Sequence, residues 1–440
     1  MILVRLQQLR PRRLSMPEQS IKEQVLPELA AWGLLALISA AVGGALWLWQ
    51  RPGQRRLLPP QRLRAVPWTG WDVALVLFLS LILWPGTVGS LLEQLDFFGW
   101  MYGGASPDRD QQSLWITLFC VPLNIATVLA WMRLGSGVRF YQLGLTRHRG
   151  LKNALLGIIA WWVATPGVFL LGYLADFASR RVLHLAPVPH PLLEIATSQP
   201  MRAELVAIVV AAVIAAPLWE ELLFRGILQR WFTITAWGSD AAMAGALAIA
   251  FLDRGLKGLW PVLFVLAMVP GYIVVSRIRR RTLPNAEPTR AIYATALLFA
   301  ASHSRVWPTP VPLFALGLVL GFLAYRTQNL IAPILLHGLF NAVATVAILY
   351  AVFTGSERQN GKGAITAFRA WPAMSISTGV PGSWLPRRTY AKAIIELTDG
   401  DHTDDVTCPI SLPPRMTLDL EVTGESPSAL RPTSDRLTCP

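Results

Sequence analysis

The residues best suited to chemistry in this 440-residue chain lie in apolar surroundings in its second half. Two neighbouring acids, Glu220 and Glu221, follow an uncharged run, and Arg225 comes shortly after them. On a helix Glu221 and Arg225 are four residues apart and share a face, so they can form an ion pair. Glu220 is turned about 100° away from Glu221. We therefore expect Arg225 to hold Glu221, and Glu220 to face a cavity as a general base.

Two further clusters carry histidines at helical spacing. Phe299 and His303 are four residues apart, as are His337 and Asn341, so each pair is expected to share a helix face. A single histidine in a helix is more often a hydrogen-bonded core residue than a catalyst. Two histidines, an asparagine and a pair of carboxylates in one half of the chain instead favour a polar site, with Phe299 walling one imidazole.

The elements that must position these residues are long uncharged segments. Hydrophobic residues make up 53% of the chain and charged residues 15%, against about 25% charged residues in a soluble domain. A helix of about 20 residues crosses a hydrocarbon core of roughly 30 Å. The sequence therefore predicts an all-α, multi-pass transmembrane bundle of about eight to ten spans, since helices satisfy their own backbone groups in lipid. The uncharged stretches are 30–49, 73–92, 113–132, 153–175, 258–276, 306–325 and 327–356, with shorter ones at 205–219, 241–252 and 291–304.

The formal net charge of +13 resides largely in short loops between these segments. Basic residues concentrate at 51–64, 133–152 and 277–281, whereas the loop 93–112 is acidic. This alternation is typical of the positive-inside rule, which puts basic loops in the cytoplasm. It favours a protein of the cell (plasma or inner) membrane in contact with lipid, and it argues against nucleic-acid binding. The N-terminal segment is basic as well, but the later loops outnumber it, so the N-terminus is predicted to lie outside.

The chain divides by composition into four regions. These are a polar lead-in at 1–29, apolar scaffold helices at 30–175, a membrane region with ionisable residues at 203–353 and a polar tail at 357–440. An extra apolar segment near 253–290 lies within the third region. The tail is rich in Pro, Ser and Thr, so it is predicted to be largely disordered, although residues 416–422 alternate enough to permit a short strand.

In their order along the chain, the three clusters resemble the motifs of the CaaX-protease and bacteriocin-processing family of intramembrane proteases. The matches are Glu220, Glu221 and Arg225 to EExxxR, Phe299 and His303 to FxxxH, and His337 and Asn341 to HxxxN. The run 317–330, followed by Pro333, is similar to the family's usual approach to its last motif. The resemblance covers about residues 200–350. The segment near 253–290 and the tail depart from the family pattern.

The resemblance implies hydrolysis of a peptide bond in a cavity that opens toward the cytoplasm. Glu220, assisted by His303, would activate a water. His337 and Asn341 would donate hydrogen bonds to the oxyanion, a contribution of roughly 3–4 kcal/mol for one good donor. The substrate would be a membrane-associated protein, either prenylated or bacteriocin-like.

Other chemistries stay open on the residues alone. Glu220, His303 and His337 could supply the three protein ligands of an open catalytic zinc site, which would make the protein a metalloprotease. A proton-coupled transporter would also bury carboxylates and histidines, although transporters usually show inverted repeats and the polar residues here lie in one half. A non-catalytic scaffold or immunity-type protein would keep the bundle without its chemistry.

Overall fold

A computed structural model describes residue 30 and residues 33–44, 66–104, 106–185, 191–197, 201–235, 237–252, 259–282 and 287–357. These residues belong to one compact unit, Met1–Pro381. Every regular element among them is a helix, so the predicted all-α class is confirmed for this part of the chain. The lead-in at 1–29, the tail beyond 357 and its possible strand at 416–422 lie outside the described residues.

The long helices are apolar enough to cross a bilayer. Seven of the helices in the described ranges meet that criterion, namely α2, α4, α5, α7, α9, α11 and α12, and α1 and α8 are shorter apolar helices. The chain is therefore a multi-pass membrane protein. The helices are α1 (Gly33–Gly44), α2 (Gly70–Gln94), α3 (Phe97–Met101), α4 (Arg109–Leu134), α5 (Gly150–Arg181), α6 (Pro191–Thr197), α7 (Arg202–Ile234), α8 (Gly238–Leu252), α9 (Trp260–Thr282), α10 (Glu287–Ala301), α11 (Pro310–Thr327) and α12 (Ile331–Glu357).

Three neighbouring helices, α7, α10 and α12, carry the three clusters of candidate residues. Helix α7 packs against both α10 and α12, α10 lies between α8 and α11, and α11 and α12 both pack on α5. The apolar windows of α7 and α12 are each 56% buried, against 17% for α9. Helices α7 and α12 thus form the interior of the bundle, and α9 lies at its lipid-facing periphery.

Helix α7 departs from regular α geometry at two places beside the candidate site. Val210–Ala215 and Glu221–Leu228 are wound as π-helix, a rare form that is frequent at functional sites. Pro217 lies just after the first stretch and has no N–H, so it cannot bond a carbonyl one turn earlier. The carbonyls of Ala212 and Val213 lie at that turn, and both are approached by α12.

Helix α12 starts at a fixed position because the residues before it are bound to the α4–α5 connection. The Leu330 N–H donates to the Gly144 carbonyl (3.0 Å), and Asn329 Nδ2 donates to the Thr146 carbonyl (2.7 Å). Asn329 Oδ1 also accepts the Ile331 N–H at 2.7 Å, which caps the helix. These bonds set the register in which α12 presents its histidine to α7.

Helix α9 occupies the extra segment predicted near 253–290, and three polar side chains attach it to its neighbours. The Tyr272 hydroxyl on α9 donates to Asp240 Oδ1 on α8 at 2.6 Å. Arg290 Nη2 on α10 donates to the same oxygen at 2.9 Å and to the Tyr272 hydroxyl at 3.0 Å. This three-helix clasp, Asp240–Tyr272–Arg290, fixes the start of α10 against both helices.

Candidate active site

The two neighbouring acids lie where the second π-helical stretch of α7 begins. Glu220 is 3% exposed and Glu221 is fully buried. Arg225 Nη1 donates to Glu221 Oε1 at 2.9 Å, and both side chains are fully buried. The predicted pairing of Glu221 with Arg225 is therefore confirmed, even though the helix is wound as a π-helix between them.

Two aromatic rings and a backbone carbonyl complete the surroundings of the Arg225 guanidinium. Its carbon lies 4.6 Å from the centre of the Phe299 ring and 5.8 Å from that of Phe224. Arg225 Nη2 also donates to the Gly317 carbonyl of α11 at 3.4 Å. A buried cation is costly unless it is paired, and the carboxylate, the rings and the carbonyl together compensate it.

His337 of α12 lies between the two acids. Its Nδ1 is 2.9 Å from Glu221 Oε1, and its Nε2 is 3.7 Å from Glu220 Oε2. The two acids therefore approach one imidazole, each at a different ring nitrogen. The sequence reasoning gave Glu221 only Arg225 as a partner and missed the bond to His337, 116 residues away. The expected orientation of Glu220 toward His303 stays a prediction, and Glu220 does not face lipid.

His303 lies in the turn that follows α10, with its ring held by the backbone. Its Nδ1 is 2.7 Å from the Phe299 carbonyl and 3.2 Å from Ser302 Oγ. A carbonyl can only accept, so Nδ1 is assigned the hydrogen and Nε2 the lone pair. That Nε2 is buried and has no hydrogen-bond partner. The Phe299 ring packs against both imidazoles, with centroids 4.9 Å from His303 and 5.8 Å from His337.

Asn341 bonds to the backbone of α7. Its Nδ2 donates to the Ala212 carbonyl at 2.9 Å, in the first π-helical stretch. One turn earlier on α12, a Cβ on Gly338 would come within 2.9 Å of the Val213 carbonyl. These contacts seat α12 on the irregular part of α7. The proposed role of Asn341 as an oxyanion donor stays a prediction, since the contact observed for its amide is to the backbone.

The possible zinc ligands do not assemble as a metal site. Glu220 and His337 approach each other, but within the described ranges no group of three His, Cys, Asp or Glu side chains is arranged to hold a metal ion. The His303 Nε2 therefore does not complete a three-ligand set in this geometry. The description as a metalloprotease is therefore not supported by this geometry, and the dependence on a metal stays a prediction.

Comparison with protein families places this cluster within a known domain. Residues 202–284 and 273–343 match the family described as type II CAAX prenyl endopeptidase, Rce1-like. Residues 202–343 are a domain of this family. Neither curated proteins nor solved structures give a match to the chain. The resemblance predicted from the three motifs is thereby confirmed, and the Rce1-like domain contains all seven candidate residues.

A buried polar residue of the Rce1-like domain escaped the sequence reasoning. Gln229, four residues after Arg225, donates from Nε2 to the Gly321 carbonyl of α11 at 2.9 Å. Glu221, Arg225, Gln229 and Thr233 follow one another at four-residue spacing along α7, and all are buried. This α7 stripe (Glu221, Arg225, Gln229, Thr233) could have been found from that spacing, because polar residues at membrane depth are rare and functional.

Proposed function

We propose that the protein is an intramembrane endopeptidase of the cell membrane that hydrolyses a peptide bond in a membrane-associated, prenylated protein substrate. The supporting observation is the buried series Glu220, His337, Glu221 and Arg225 inside a prenyl-endopeptidase domain. Two carboxylates on opposite nitrogens of one imidazole are costly at membrane depth. A catalytic role explains the presence of these two buried carboxylates better than a role in packing does.

Glu220 is the general base of the proposal. Arg225 pairs with Glu221, so the charge of Glu220 is not taken up by that salt bridge. The 3.7 Å between Glu220 Oε2 and His337 Nε2 is too long for a direct hydrogen bond. We assign the attacking water to the space beside these two atoms, within reach of both. Glu220 takes a proton from this water as its oxygen attacks the scissile carbonyl carbon. When the C–N bond breaks, the proton passes from Glu220 to the leaving amine, giving a carboxylic acid and an amine.

The two histidines are assigned different roles because their Nδ1 atoms have different partners. A carboxylate, Glu221, accepts from His337 Nδ1 and stabilises the protonated ring, as the aspartate does in a serine-protease triad. His337 Nε2–H can then donate to the oxyanion, worth roughly 3–4 kcal/mol for one well-placed donor. A neutral carbonyl accepts from His303 Nδ1 and stabilises a charged ring less than a carboxylate does. We therefore assign His303 the neutral form, whose Nε2 lone pair assists Glu220 with the water.

Asn341 supports this arrangement from the helix that carries His337. Its bond to Ala212 holds α12 on α7, and an amide nitrogen has a second N–H with which to donate to the oxyanion. Asn341→Ala is expected to lower the cleavage rate by roughly 100-fold if that donor acts in the transition state.

The decisive experiment incubates purified protein in lipid vesicles with a library of prenylated peptides and their unprenylated counterparts. Wild-type protein should cleave prenylated peptides, and Glu220→Gln should abolish cleavage.

Glu204→Gln is the matched control, because Glu204 is an equally buried acid of α7 that is bound instead to Tyr102 (2.7 Å) and the Met201 N–H (2.7 Å). It should cleave normally. Cleavage by Glu220→Gln at the wild-type rate would exclude the proposed base. Failure of the wild-type protein to cleave any peptide would favour the scaffold or transporter alternatives.

A further inference from the structure

A small cavity lies along the later part of the α7 stripe, between Arg225 and Ile234. It has about 20 Å³ of room for the centre of a water molecule, and one water needs roughly 10–15 Å³ by this measure. The lining residues are Val66, Arg225, Gln229, Arg230, Thr233, Ile234, Ala324, Tyr325 and Gln328.

The cavity extends from the candidate site toward the end of α7. Arg225, at one end, has a fully buried side chain, and Ile234, the last residue of the helix, is 49% exposed. Nine residues of helix correspond to about 14 Å. The cavity therefore lies between Arg225 and the surface at which α7 ends.

Polar atoms at the inner end of the cavity lack protein partners. Arg225 Nε, a donor, and Gln229 Oε1, an acceptor, are both buried without a hydrogen bond, and so are Glu221 Oε2 and His337 Nε2 nearer the site. Buried polar atoms are almost always bonded to protein or to ordered water. Since both donors and acceptors are present here, a molecule that both donates and accepts hydrogen bonds suits them.

We propose that this cavity is a water-binding site, and that the water consumed in each hydrolysis reaches the catalytic residues along the α7 stripe rather than with the substrate. The role of the water, though not its binding, rests on the proposed endopeptidase function. Hydrocarbon surrounds the bundle, and a prenylated substrate brings more apolar surface to the site. A separate polar route supplies water to Glu220 while that substrate is bound.

Radiolytic hydroxyl labelling tests for the water, because radicals formed from a bound water modify the side chains beside it. Tyr325 lines the cavity, and Tyr293 is a comparably half-buried tyrosine whose hydroxyl donates to the Met268 carbonyl at 2.7 Å. Thr233→Leu fills the cavity with a longer apolar side chain. It should lower Tyr325 modification several-fold and leave Tyr293 modification unchanged. Unchanged modification of Tyr325 would overturn the proposal.

Kinetics test the route. Thr233→Leu should lower kcat several-fold with KM unchanged, because none of the residues lining the cavity is assigned a contact with substrate. Thr233→Ser keeps the hydroxyl that donates to the Gln229 carbonyl (2.7 Å), so it should restore kcat. A raised KM, or an unchanged kcat in a folded Thr233→Leu protein, would contradict the route. If wild-type protein cleaves no peptide, the proposed function fails, and the labelling still decides whether the cavity holds water.

Discussion

Glu220 and Glu221 are adjacent in sequence but have different surroundings. Glu221 is bound by Arg225 and His337, both at 2.9 Å, whereas Glu220 lies 3.7 Å from the other nitrogen of His337. Removing one partner of a buried ion pair leaves an uncompensated charge and costs about 3–5 kcal/mol. The acid that holds the structure together is thus distinct from the acid proposed to do the chemistry.

Neutralising each acid separately should therefore give different results. Glu221→Gln leaves Arg225 without its carboxylate, so it should lower both thermal stability and the cleavage rate. Glu220→Gln should abolish cleavage with little change in stability, because no salt bridge to Arg225 is lost. Thermal unfolding in detergent and peptide cleavage measure the two effects. If Glu220→Gln destabilises the protein as much as Glu221→Gln, the assignment of separate roles is wrong.

At the residue scale, the sequence predicts contacts within a helix better than contacts between helices. The spacing of four residues correctly predicted the Glu221–Arg225 bond and the packing of Phe299 on His303, because helical geometry fixes such neighbours. It could not predict that His337 reaches Glu221 or that Asn341 reaches Ala212. Those bonds depend on how α12 docks on α7, which no local pattern encodes.

At the scale of helices, the docking of α12 on α7 depends on one glycine, Gly338. A Cβ at Gly338 would lie 2.9 Å from the Val213 carbonyl, a backbone atom that cannot turn aside. Pro217 distorts α7 at the same place. Sequence reasoning identified neither feature, since a glycine and a proline within apolar helices do not reveal which neighbour they face.

Gly338→Ala should consequently push α12 away from α7 and separate His337 from Glu221. We expect lower thermal stability and a lower kcat. Gly167→Ala is the matched control, since Gly167 also lies within a long helix, α5, but has no atom within 4 Å of an added Cβ. That change should be neutral or stabilising by up to about 1 kcal/mol. Equal effects of the two substitutions would show that the contact with Val213 is not what positions α12.

The clasp that fixes α9 gives a second expectation for the helices. Tyr272→Phe removes the hydroxyl that bonds Asp240 and Arg290, so it should lower stability by roughly 0.5–1.5 kcal/mol per hydrogen bond lost. Helix α9 carries none of the candidate residues, so kcat and KM should be unchanged. A loss of activity with unaltered stability would instead assign α9 a part in handling substrate.

For the whole molecule, the uncharged segments predicted about eight to ten spans, and seven helices of the described residues are long and apolar enough to cross a membrane. Loop charge predicts their direction. The acidic loop before α4 and the basic loop after it lie at opposite ends of one apolar helix. Exposed tryptophans, Trp71 at the start of α2 and Trp100 in α3, suit the interfacial positions these residues favour. The sequence could not show which helices are central, because burial against protein and burial in lipid select the same apolar side chains.

The orientation can be tested with two exposed positions separated only by α4. In a protein with Cys120, Cys408 and Cys439 replaced, Ser106→Cys should react with a membrane-impermeant thiol reagent added to intact cells. His148→Cys should react only after permeabilisation, because its loop contains Arg147 and Arg149 and basic loops stay in the cytoplasm. Labelling of both in intact cells would show that α4 does not cross the membrane. The reverse labelling pattern would show that the bundle has the opposite orientation in the membrane. The α4–α5 connection, where Gly144 and Thr146 hold α12, would then face away from the cytoplasm. A prenylated protein in the cytoplasm could not reach the bundle from that side, so it could not be a substrate that enters there.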